Sequence, residues 1–404
     1  MFESHVLIAE DADNANVPAP DPVWARPALL VLAIASGVLY GWDVWRMHLH
    51  LYYGAAVKTM SSSWPAFLYG AYDPGMTTTV DKVPGVFWLQ ALSAWLFGFH
   101  SWSVLLPQVL GSVLTILVLY RVVRLWSGPV AGIVAAAVYA TTPMIAALAR
   151  TQIPDVILVL LVVLAAGAWW QAIKTGKLAP LLWCGVLIGL AFQAKMVHAW
   201  SAWLPFALTY LFAATLPWQR RLARLAAAGA VTVAVSAIWV VPMLLIPASS
   251  RPYIDGSMDN SVLSMVFGYN AFNRFGLSND GAATLGVGGP LGGIHGPAWD
   301  YMFSDAAAPQ VGWLYPIALA GLIAGLLWSR SRADRLRLAG YAMWGLWLLT
   351  QAVTFSLSVK PHSFYLLSVV PPIAGLAGAA AARWWSSRTP SQNRSWWGPA
   401  TVVI

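Results

Sequence analysis

Apolar residues along the chain are gathered into long runs, and polar residues lie mainly between these runs. A run of about 18 apolar residues is long enough to cross the roughly 30 Å hydrocarbon core of a bilayer. Ten runs reach about this length, near residues 27–43, 103–124, 128–148, 155–173, 178–195, 197–217, 224–246, 311–329, 337–358 and 363–383. Because the runs are apolar on all faces, we predict an all-α polytopic membrane protein with about ten transmembrane helices.

Two shorter apolar stretches, 49–60 and 86–98, separate the first run from the second. Stretches of 10–14 apolar residues are too short to span a bilayer and are typical of interfacial helices. The predicted organisation is a cytoplasmic, disordered tail over 1–25, a transmembrane domain over 26–385 with outer loops 44–102 and 247–310, and a cytoplasmic tail over 386–404.

The composition excludes a water-soluble globular protein. Of the 404 residues, 59% are hydrophobic and 9% are charged, whereas soluble domains carry about 25% charged residues. The single cysteine, Cys184, lies within an apolar run and cannot form an intrachain disulfide. We interpret it as a packing residue.

The distribution of charge predicts an orientation. If the N-terminus is cytoplasmic, 15 of the 23 lysines and arginines fall on the inner side, as the positive-inside rule expects. Topology therefore accounts for the net charge of +8, and no nucleic-acid partner is needed. Outside the N-terminal tail, nine of ten acidic residues and six of seven histidines fall on the outer side. This pattern indicates chemistry at the outer face, although longer outer loops would also collect polar residues.

Several charged residues lie at the outer ends of different spans, beside very apolar sequence. They are Asp43, Asp81, Lys82, Asp155 and Lys195. Each alone could be a charge that extends to the headgroups, or half of a local ion pair. Together they can converge on one cavity at the membrane–water boundary. Such a cavity suits a lipid-linked phosphosugar, because cations hold the phosphate, aromatic rings stack on the sugar and a carboxylate serves as base.

The first outer loop contains the elements Tyr52-Tyr53-Gly-Ala-Ala-Val-Lys58 and Asp81-Lys82-Val-Pro84-Gly. These elements resemble the first outer loop of the C-type membrane glycosyltransferases, in the protein O-mannosyltransferase and aminoarabinose transferase superfamily, and they are the most specific part of the resemblance. Further elements are similar to bacterial members that look actinobacterial: Arg150-Thr-Gln-Ile-Pro-Asp155, Phe192-Gln-Ala-Lys195-Met, Arg251-Pro-Tyr-Ile with Asn260-Ser261 and Gly268-Tyr-Asn270, and His362 with Tyr365. The resemblance covers roughly residues 25–385.

This resemblance implies an inverting glycosyltransferase in the cytoplasmic membrane of a bacterium, with its active site facing outward. The expected partners are a polyprenyl-phosphate-linked sugar donor, a lipid, glycan or protein acceptor, and membrane lipids. The resemblance also implies that Lys82 binds the lipid phosphate and that Asp81 and Asp155 are functional acids. No metal or other cofactor is expected, although a divalent cation bound near the first loop is left as an alternative.

One departure leaves the catalytic base open. Better-studied members carry an acidic residue just before the aromatic residue that starts the first interfacial helix, where this chain reads His48-Leu-His50-Leu. The base is therefore Asp43, Asp73 or Asp81, and we favour Asp43 or Asp81 because Asp73-Pro74 is typical of a turn.

The candidate catalytic residues are Asp43, Asp81 and Asp155, and the candidate substrate-binding residues are Lys82, His48, His50, Tyr52, Tyr53, Arg150, Lys195, Arg251, His362 and Tyr365. A transporter or lipid flippase is the competing class of protein, and a relative that kept the fold without activity is a third possibility.

Overall fold

The computed structural model describes residues 22–277, 298–305, 307–328, 335–359 and 362–388. This part of the chain is built of α-helices and short 3₁₀ and π turns, and its only β pairing consists of isolated bridges. The α-helices are α1 (Ala25–Gly41), α2 (Leu51–Met60), α3 (Trp64–Tyr69), α4 (Gly85–Phe97), α5 (Ser101–Ser127), α6 (Pro129–Thr141), α7 (Pro143–Leu148), α8 (Asp155–Thr175), α9 (Leu178–Lys195), α10 (Val197–Trp200), α11 (Trp203–Ala213), α12 (Trp218–Leu245), α13 (Ala308–Val311), α14 (Tyr315–Trp328), α15 (Arg335–Leu357) and α16 (Val370–Arg388).

The predicted fold class is confirmed, but the count of ten spans is not. Within the described ranges, seven helical segments are long and apolar enough to cross a membrane. Predicted span 128–148 divides into α6 and α7, because Thr142 is extended and Pro143 begins a new helix. Predicted span 197–217 divides into α10 and α11. Helix α15 has 23 residues but is not among the seven segments.

The long helices pack closely through small residues. On α9, a side-chain carbon added at Gly189 would lie 2.6 Å from Cβ of Val235 on α12. In lipid, where association depends on close packing, small residues let helix backbones approach one another. Cys184 is buried in the same helix with a free thiol, which agrees with its interpretation as a packing residue.

The first outer loop contains the two expected short helices. Stretch 49–60 forms α2, of 10 residues, and stretch 86–98 forms α4, of 13 residues. The N-terminus of α4 lies against the end of α9, since a side-chain carbon at Gly85 would be 2.6 Å from the carbonyl oxygen of Gln193. This contact fixes the short helices against the helical body.

Backbone hydrogen bonds join the two outer loops. The amide of Thr79 donates to the carbonyl of Tyr253 at 2.8 Å, and the amide of Tyr253 donates to the carbonyl of Thr77 at 2.9 Å. The amide of Asp255 donates to Oγ1 of Thr79 at 3.2 Å. These bonds bring Asp255 close to the segment that carries Asp81, although the two residues are far apart in sequence. Part of the second loop, 278–297, lies outside the described residues, as do most of both predicted tails.

The polar ends of several helices meet at one end of the bundle. Helix α8 begins at Asp155 and its neighbour α9 ends at Lys195, so the two residues lie at the same end. The turn that joins these helices carries Lys174 and Lys177 and therefore lies at the opposite end. The candidate functional site, which includes Lys195, lies at the Asp155 end.

Candidate active site

A cavity of about 530 Å³ lies where the two outer loops meet the helical body. One side, which we call the loop wall, is formed by His50, Tyr52, Tyr53, Asp81, Lys82, Asp255, Tyr269, Asn270 and Arg274. The other side, which we call the helix wall, is formed mainly by Lys195, His198, Ser201, Phe355, His362 and Tyr365. Residues distant in sequence thus share one hollow.

Asp81 and Lys82 form an ion pair on the loop wall. Nζ of Lys82 donates to Oδ2 of Asp81 at 2.7 Å, and the hydroxyl of Tyr53 donates to Oδ1 of Asp81 at 3.4 Å. The two side chains are 11% and 9% exposed. Burial disfavours the charge of Lys82, but the Asp81 carboxylate and Tyr269 together outweigh this effect and hold the pKa of Lys82 above its ordinary value. Lys82 therefore stays a cation at neutral pH.

Tyr52 connects Asp81 to a second carboxylate. Its hydroxyl donates to Oδ2 of Asp255 at 2.6 Å and accepts from the backbone amide of Asp81 at 2.9 Å. The other oxygen of Asp255 accepts from the amide of Gly256 at 2.7 Å. The side-chain amide of Asn270 donates to the carbonyl of Asp81 at 2.9 Å. The Asp81 backbone is thus held from both outer loops.

Arg274 supplies a further cation to the loop wall. Its guanidinium lies 4.8 Å from the centre of the Tyr269 ring. Burial disfavours its charge, but Tyr365, Tyr269 and Asp81 more than offset this and raise the pKa of Arg274. Among the described residues no carboxylate forms an ion pair with Arg274, so its charge is available to an anion in the cavity.

Lys195 supplies the cation of the helix wall. It forms a buried ion pair with Asp155, and its Nζ lies 3.8 Å from the centre of the Tyr365 ring. Asp155 is wholly buried behind Lys195 and does not line the cavity. The geometry therefore makes Asp155 a residue that positions Lys195.

Most of the predicted site residues come together. Eight of the thirteen line the cavity: His50, Tyr52, Tyr53, Asp81, Lys82, Lys195, His362 and Tyr365. Asp155 does not line the cavity but forms an ion pair with one of these eight residues, Lys195. The remaining four do not line the cavity: Asp43, His48, Arg150 and Arg251.

Asp43 and His48 lie away from the cavity. The Asp43 side chain is 37% exposed and pairs with Arg46 at 3.5 Å, one turn along the chain. This is the local ion pair that was the plain alternative for such a residue. His48 is also exposed. Asp73, the third candidate base, accepts hydrogen bonds from the amides of Thr77 and Thr78 at 3.0 and 3.1 Å, which makes it the expected turn residue.

Arg150 and Arg251 form hydrogen bonds with other parts of the protein and do not line the cavity. The Arg150 guanidinium donates to the carbonyls of Leu39 and Tyr40 at the C-terminal end of α1, where a helix leaves carbonyls without partners. Arg251 donates to Oδ1 of Asn260 at 2.7 Å and to its carbonyl at 2.8 Å. Both arginines therefore stabilise the fold around the site.

The sequence-based prediction missed site residues, most of them in the second outer loop. They are His198, Asp255, Tyr269, Asn270 and Arg274. The sequence offers a weak signal for Arg274, a cation between two phenylalanines, and for His198, which follows Lys195 by three residues. Nothing in the spacing indicates that Asp255 turns inward while Asp259 stays exposed.

The described residues contain no group of three or more histidine, cysteine or carboxylate side chains that could hold a metal ion. Asp43 and His48 do not join Asp81 and His50 at the cavity. Metal-independent chemistry stays a prediction, which activity measurements in a chelator would test.

Comparisons with known proteins indicate a glycosyltransferase. A family model described as dolichyl-phosphate-mannose-protein mannosyltransferase matches residues 81–246. The chain is 30% identical to the "Putative mannosyltransferase YycA" of Bacillus subtilis (strain 168), over 93% of the chain and 66% of the relative. It is 32% identical to the "Putative mannosyltransferase YkcB" of the same organism, over 87% of the chain and 61% of the relative. The chain thus spans less than two thirds of the length of these relatives.

Solved structures show the same fold. The chain is similar to ArnT from Cupriavidus metallidurans bound to undecaprenyl phosphate, with a TM-score of 0.63, 18% identity and coverage of 89% of this chain and 61% of that one. It is also similar to the oligosaccharyltransferase AglB from Archaeoglobus fulgidus in complex with an inhibitory peptide and a dolichol-phosphate, with a TM-score of 0.58, 15% identity and coverage of 92% and 52%. The fold, the relatives and the first-loop residues agree, and the chain belongs to the superfamily of C-type membrane glycosyltransferases.

Proposed function

We propose that the chain transfers a sugar from a polyprenyl monophosphate to an acceptor hydroxyl or amine, within the cavity between the loop wall and the helix wall. The observation that carries this proposal is the arrangement of Asp81, Lys82 and Arg274 around one hollow with aromatic sides. The printed names of two similar proteins, ArnT bound to undecaprenyl phosphate and AglB with a dolichol-phosphate, support the same class of donor.

The cations Lys82 and Arg274 can stabilise the negative charge of the departing phosphate. When the bond between the anomeric carbon and the phosphate oxygen breaks, its electron pair leaves with the prenyl phosphate, which gains negative charge. Arg274 has no carboxylate partner among the described residues, and Lys82 is held charged beside it. Groups already aimed at the position where charge develops stabilise a transition state most effectively.

Asp81 is our candidate for the base. Its Oδ1 accepts only a long hydrogen bond, 3.4 Å from the Tyr53 hydroxyl, and can take a proton from an incoming acceptor. Asp255 also lines the cavity, but its two oxygens accept bonds of 2.6 and 2.7 Å. In the proposed step the acceptor oxygen or nitrogen attacks the anomeric carbon, its proton passes to Asp81, and the prenyl phosphate leaves. A single displacement of this kind inverts the anomeric configuration.

The proposed site faces the extracytoplasmic side of a bacterial cytoplasmic membrane. Asp155 and Lys195 lie at one end of α8 and α9, and the basic turn with Lys174 and Lys177 lies at the other. Because basic turns stay on the cytoplasmic side, the cavity end points outward. Placement beside the membrane surface would let the lipid portion of the donor stay in the bilayer while the phosphosugar enters the cavity.

A transporter is the competing function, and the charges argue against it. An ion relay needs ionisable groups through the depth of the membrane. Here the charged residues of the cavity belong to loops and helix ends.

The proposal is tested by sugar transfer from synthetic prenyl monophosphate hexoses in detergent, using Asp81→Asn and the matched variant Asp43→Asn. Loss of a positioned base reduces rates by about 10²–10⁴-fold, so we expect this fall for Asp81→Asn. Asp43 lies outside the cavity, so Asp43→Asn keeps its activity. Equal activity of the two variants, or transport that needs sealed vesicles in place of transfer, would contradict the proposal.

A further inference from the structure

A network of uncharged polar side chains lies beneath the helix wall. Nε2 of His198 lies 3.1 Å from Oε1 of Gln351, and Nε2 of Gln351 donates to Oγ of Ser201 at 2.8 Å. Oγ of Ser368 lies 3.2 Å from Oε1 of Gln351. Gln351 and Ser368 are only 3% and 4% exposed. His198 and Ser201 also line the cavity, so the network ends at its surface.

The network fixes the orientation of the Gln351 amide. The Ser201 hydroxyl has one hydrogen, which it donates to the carbonyl of His198 at 2.7 Å. Its oxygen accepts from Nε2 of Gln351, and the Ser368 hydroxyl, which also lies 2.9 Å from the carbonyl of Tyr365, donates to Oε1 of Gln351. The amide oxygen of Gln351 then faces His198.

This orientation determines the tautomer of His198. An amide oxygen only accepts hydrogen bonds, so Nε2 of His198 must carry a hydrogen. At pH 8 a histidine with the ordinary pKa of about 6.5 is neutral and has one ring hydrogen. Nδ1 is then an acceptor with a free lone pair. No donor among the described residues forms a hydrogen bond with it, although the ring lines the cavity.

We propose that Nδ1 of His198 accepts a hydrogen bond from a hydroxyl group of the donor sugar, which makes His198 a specificity-determining residue. This inference rests on the proposed function and adds to it the class of sugar, a neutral one. Gln351 is the positioning residue that holds His198 in the required tautomer.

The chemistry of the lone pair excludes other ligands. A phosphodiester presents only acceptor oxygens and would be repelled by a second acceptor. An ammonium group could donate, but it would need a carboxylate beside it, and Asp155, the acid next to the helix wall, already pairs with Lys195. A sugar hydroxyl is a neutral donor, and the rings of Phe355 and Tyr365, with centres 5.8 and 6.0 Å from that of His198, offer apolar surface for the sugar ring.

The test compares two probes, a prenyl monophosphate without sugar and the same lipid carrying mannose, glucose or galactose. Binding is measured in detergent at pH 8 for the full chain and for His198→Phe. For the hexose that binds most tightly, we expect His198→Phe to weaken binding about tenfold, which corresponds to about 1.4 kcal/mol. Binding of the sugar-free lipid should be unchanged.

Monodeoxy analogues of that hexose identify the hydroxyl. In the unmodified chain one analogue should lose about tenfold in affinity, and in His198→Phe the same analogue should lose nothing. Gln351→Leu removes the amide that fixes the tautomer of His198 but keeps the imidazole ring. We expect it to weaken binding of the hexose by a smaller factor, about threefold, and to leave binding of the sugar-free lipid unchanged.

The outcomes separate this inference from the proposed function. If His198→Phe weakens the sugar-free lipid equally, or leaves hexose binding intact, His198 does not bind the sugar and the inference is overturned while the proposed function stands. If the unmodified chain binds neither probe, the proposed function itself fails. Should His198→Phe not fold, the inference still fails if no deoxy analogue binds more weakly than the parent hexose.

Discussion

The two walls of the cavity are built by different means. The loop wall holds its charges through backbone bonds between two distant loops and through Tyr52, which contacts both Asp81 and Asp255. The helix wall contains one cation, Lys195, neutralised by Asp155, and an uncharged network around Gln351. The loop wall is therefore suited to a phosphate, and the helix wall to the hydroxyl groups of a sugar.

The charged residues of the two walls also differ in their roles. Lys195 lies at the end of a span, and a charge there without a partner would be costly. Asp155 supplies that partner from the start of the neighbouring helix. On the loop wall Arg274 has no carboxylate partner in the described part of the chain. We therefore expect stability to depend most on the helix wall and binding of phosphate to depend most on the loop wall.

Breaking the helix wall at Asp155 should give the largest effect. Asp155→Ala leaves Lys195 buried without a partner, and such losses cost about 3–5 kcal/mol of unfolding free energy. Thermal unfolding in detergent measures this cost. The double variant Asp155→Leu with Lys195→Met removes both charges and should recover most of the stability. If Asp155→Ala unfolds like the unmodified chain, Asp155 does not stabilise the helix wall.

Replacing Lys82 on the loop wall should reduce the rate of transfer more than the stability of the fold, because Asp81, which loses its partner, stays 9% exposed, whereas Asp155 is wholly buried. Removing one group that stabilises developing charge costs about 10²–10³-fold in rate, so we expect that fall in transfer for Lys82→Ala. Lys58→Ala, an exposed lysine in the same outer loop, is the control and should retain its activity. An equal loss of activity in both variants would mean that replacing either lysine of this loop impairs transfer, and that Lys82 does not act specifically on the phosphate.

A milder change at Arg274 separates charge from geometry. Arg274→Lys keeps the cation but loses the planar group that stacks on Tyr269 and can bind a phosphate through two hydrogen bonds. We expect KM for the donor to rise about tenfold and kcat to change less. An unchanged KM, measured against the exposed Arg46→Lys as control, would show that Arg274 does not bind the donor.

The smallest expected effect concerns pH. Burial, with the charges of Arg274 and Lys195, lowers the pKa of His362 to about 4. The folded chain therefore binds fewer protons at His362 than the unfolded chain does, and the stabilising contribution is lost as pH falls from about 6.5 towards 4. His362→Gln should weaken the fall in Tm between pH 7 and pH 5, whereas His48→Gln, at an exposed position, should not. The same fall in all three proteins would place the titration elsewhere.

The sequence was sufficient for the family, the helical fold and the centre of the loop wall. Asp81-Lys82 could be found because the pair lies beside a short apolar helix, within a motif that the family shares. Asp43 and Arg150 could not be excluded from the site by sequence alone. The structure was needed to show that Asp43 pairs with Arg46 and that Arg150 binds carbonyls of α1, so that neither residue faces the cavity. Asp255 and Arg274 were missed because contacts such as the Thr79–Tyr253 bond decide which part of a long loop turns inward.

A crystal structure of the protein bound to a prenyl monophosphate would show whether the cavity holds the donor phosphate. We predict that the phosphate lies between the two walls, within hydrogen-bond distance of the Lys82 ammonium and the Arg274 guanidinium. A phosphate bound elsewhere, for example beside Arg46 at the exposed end of α1, with the cavity empty, would contradict it.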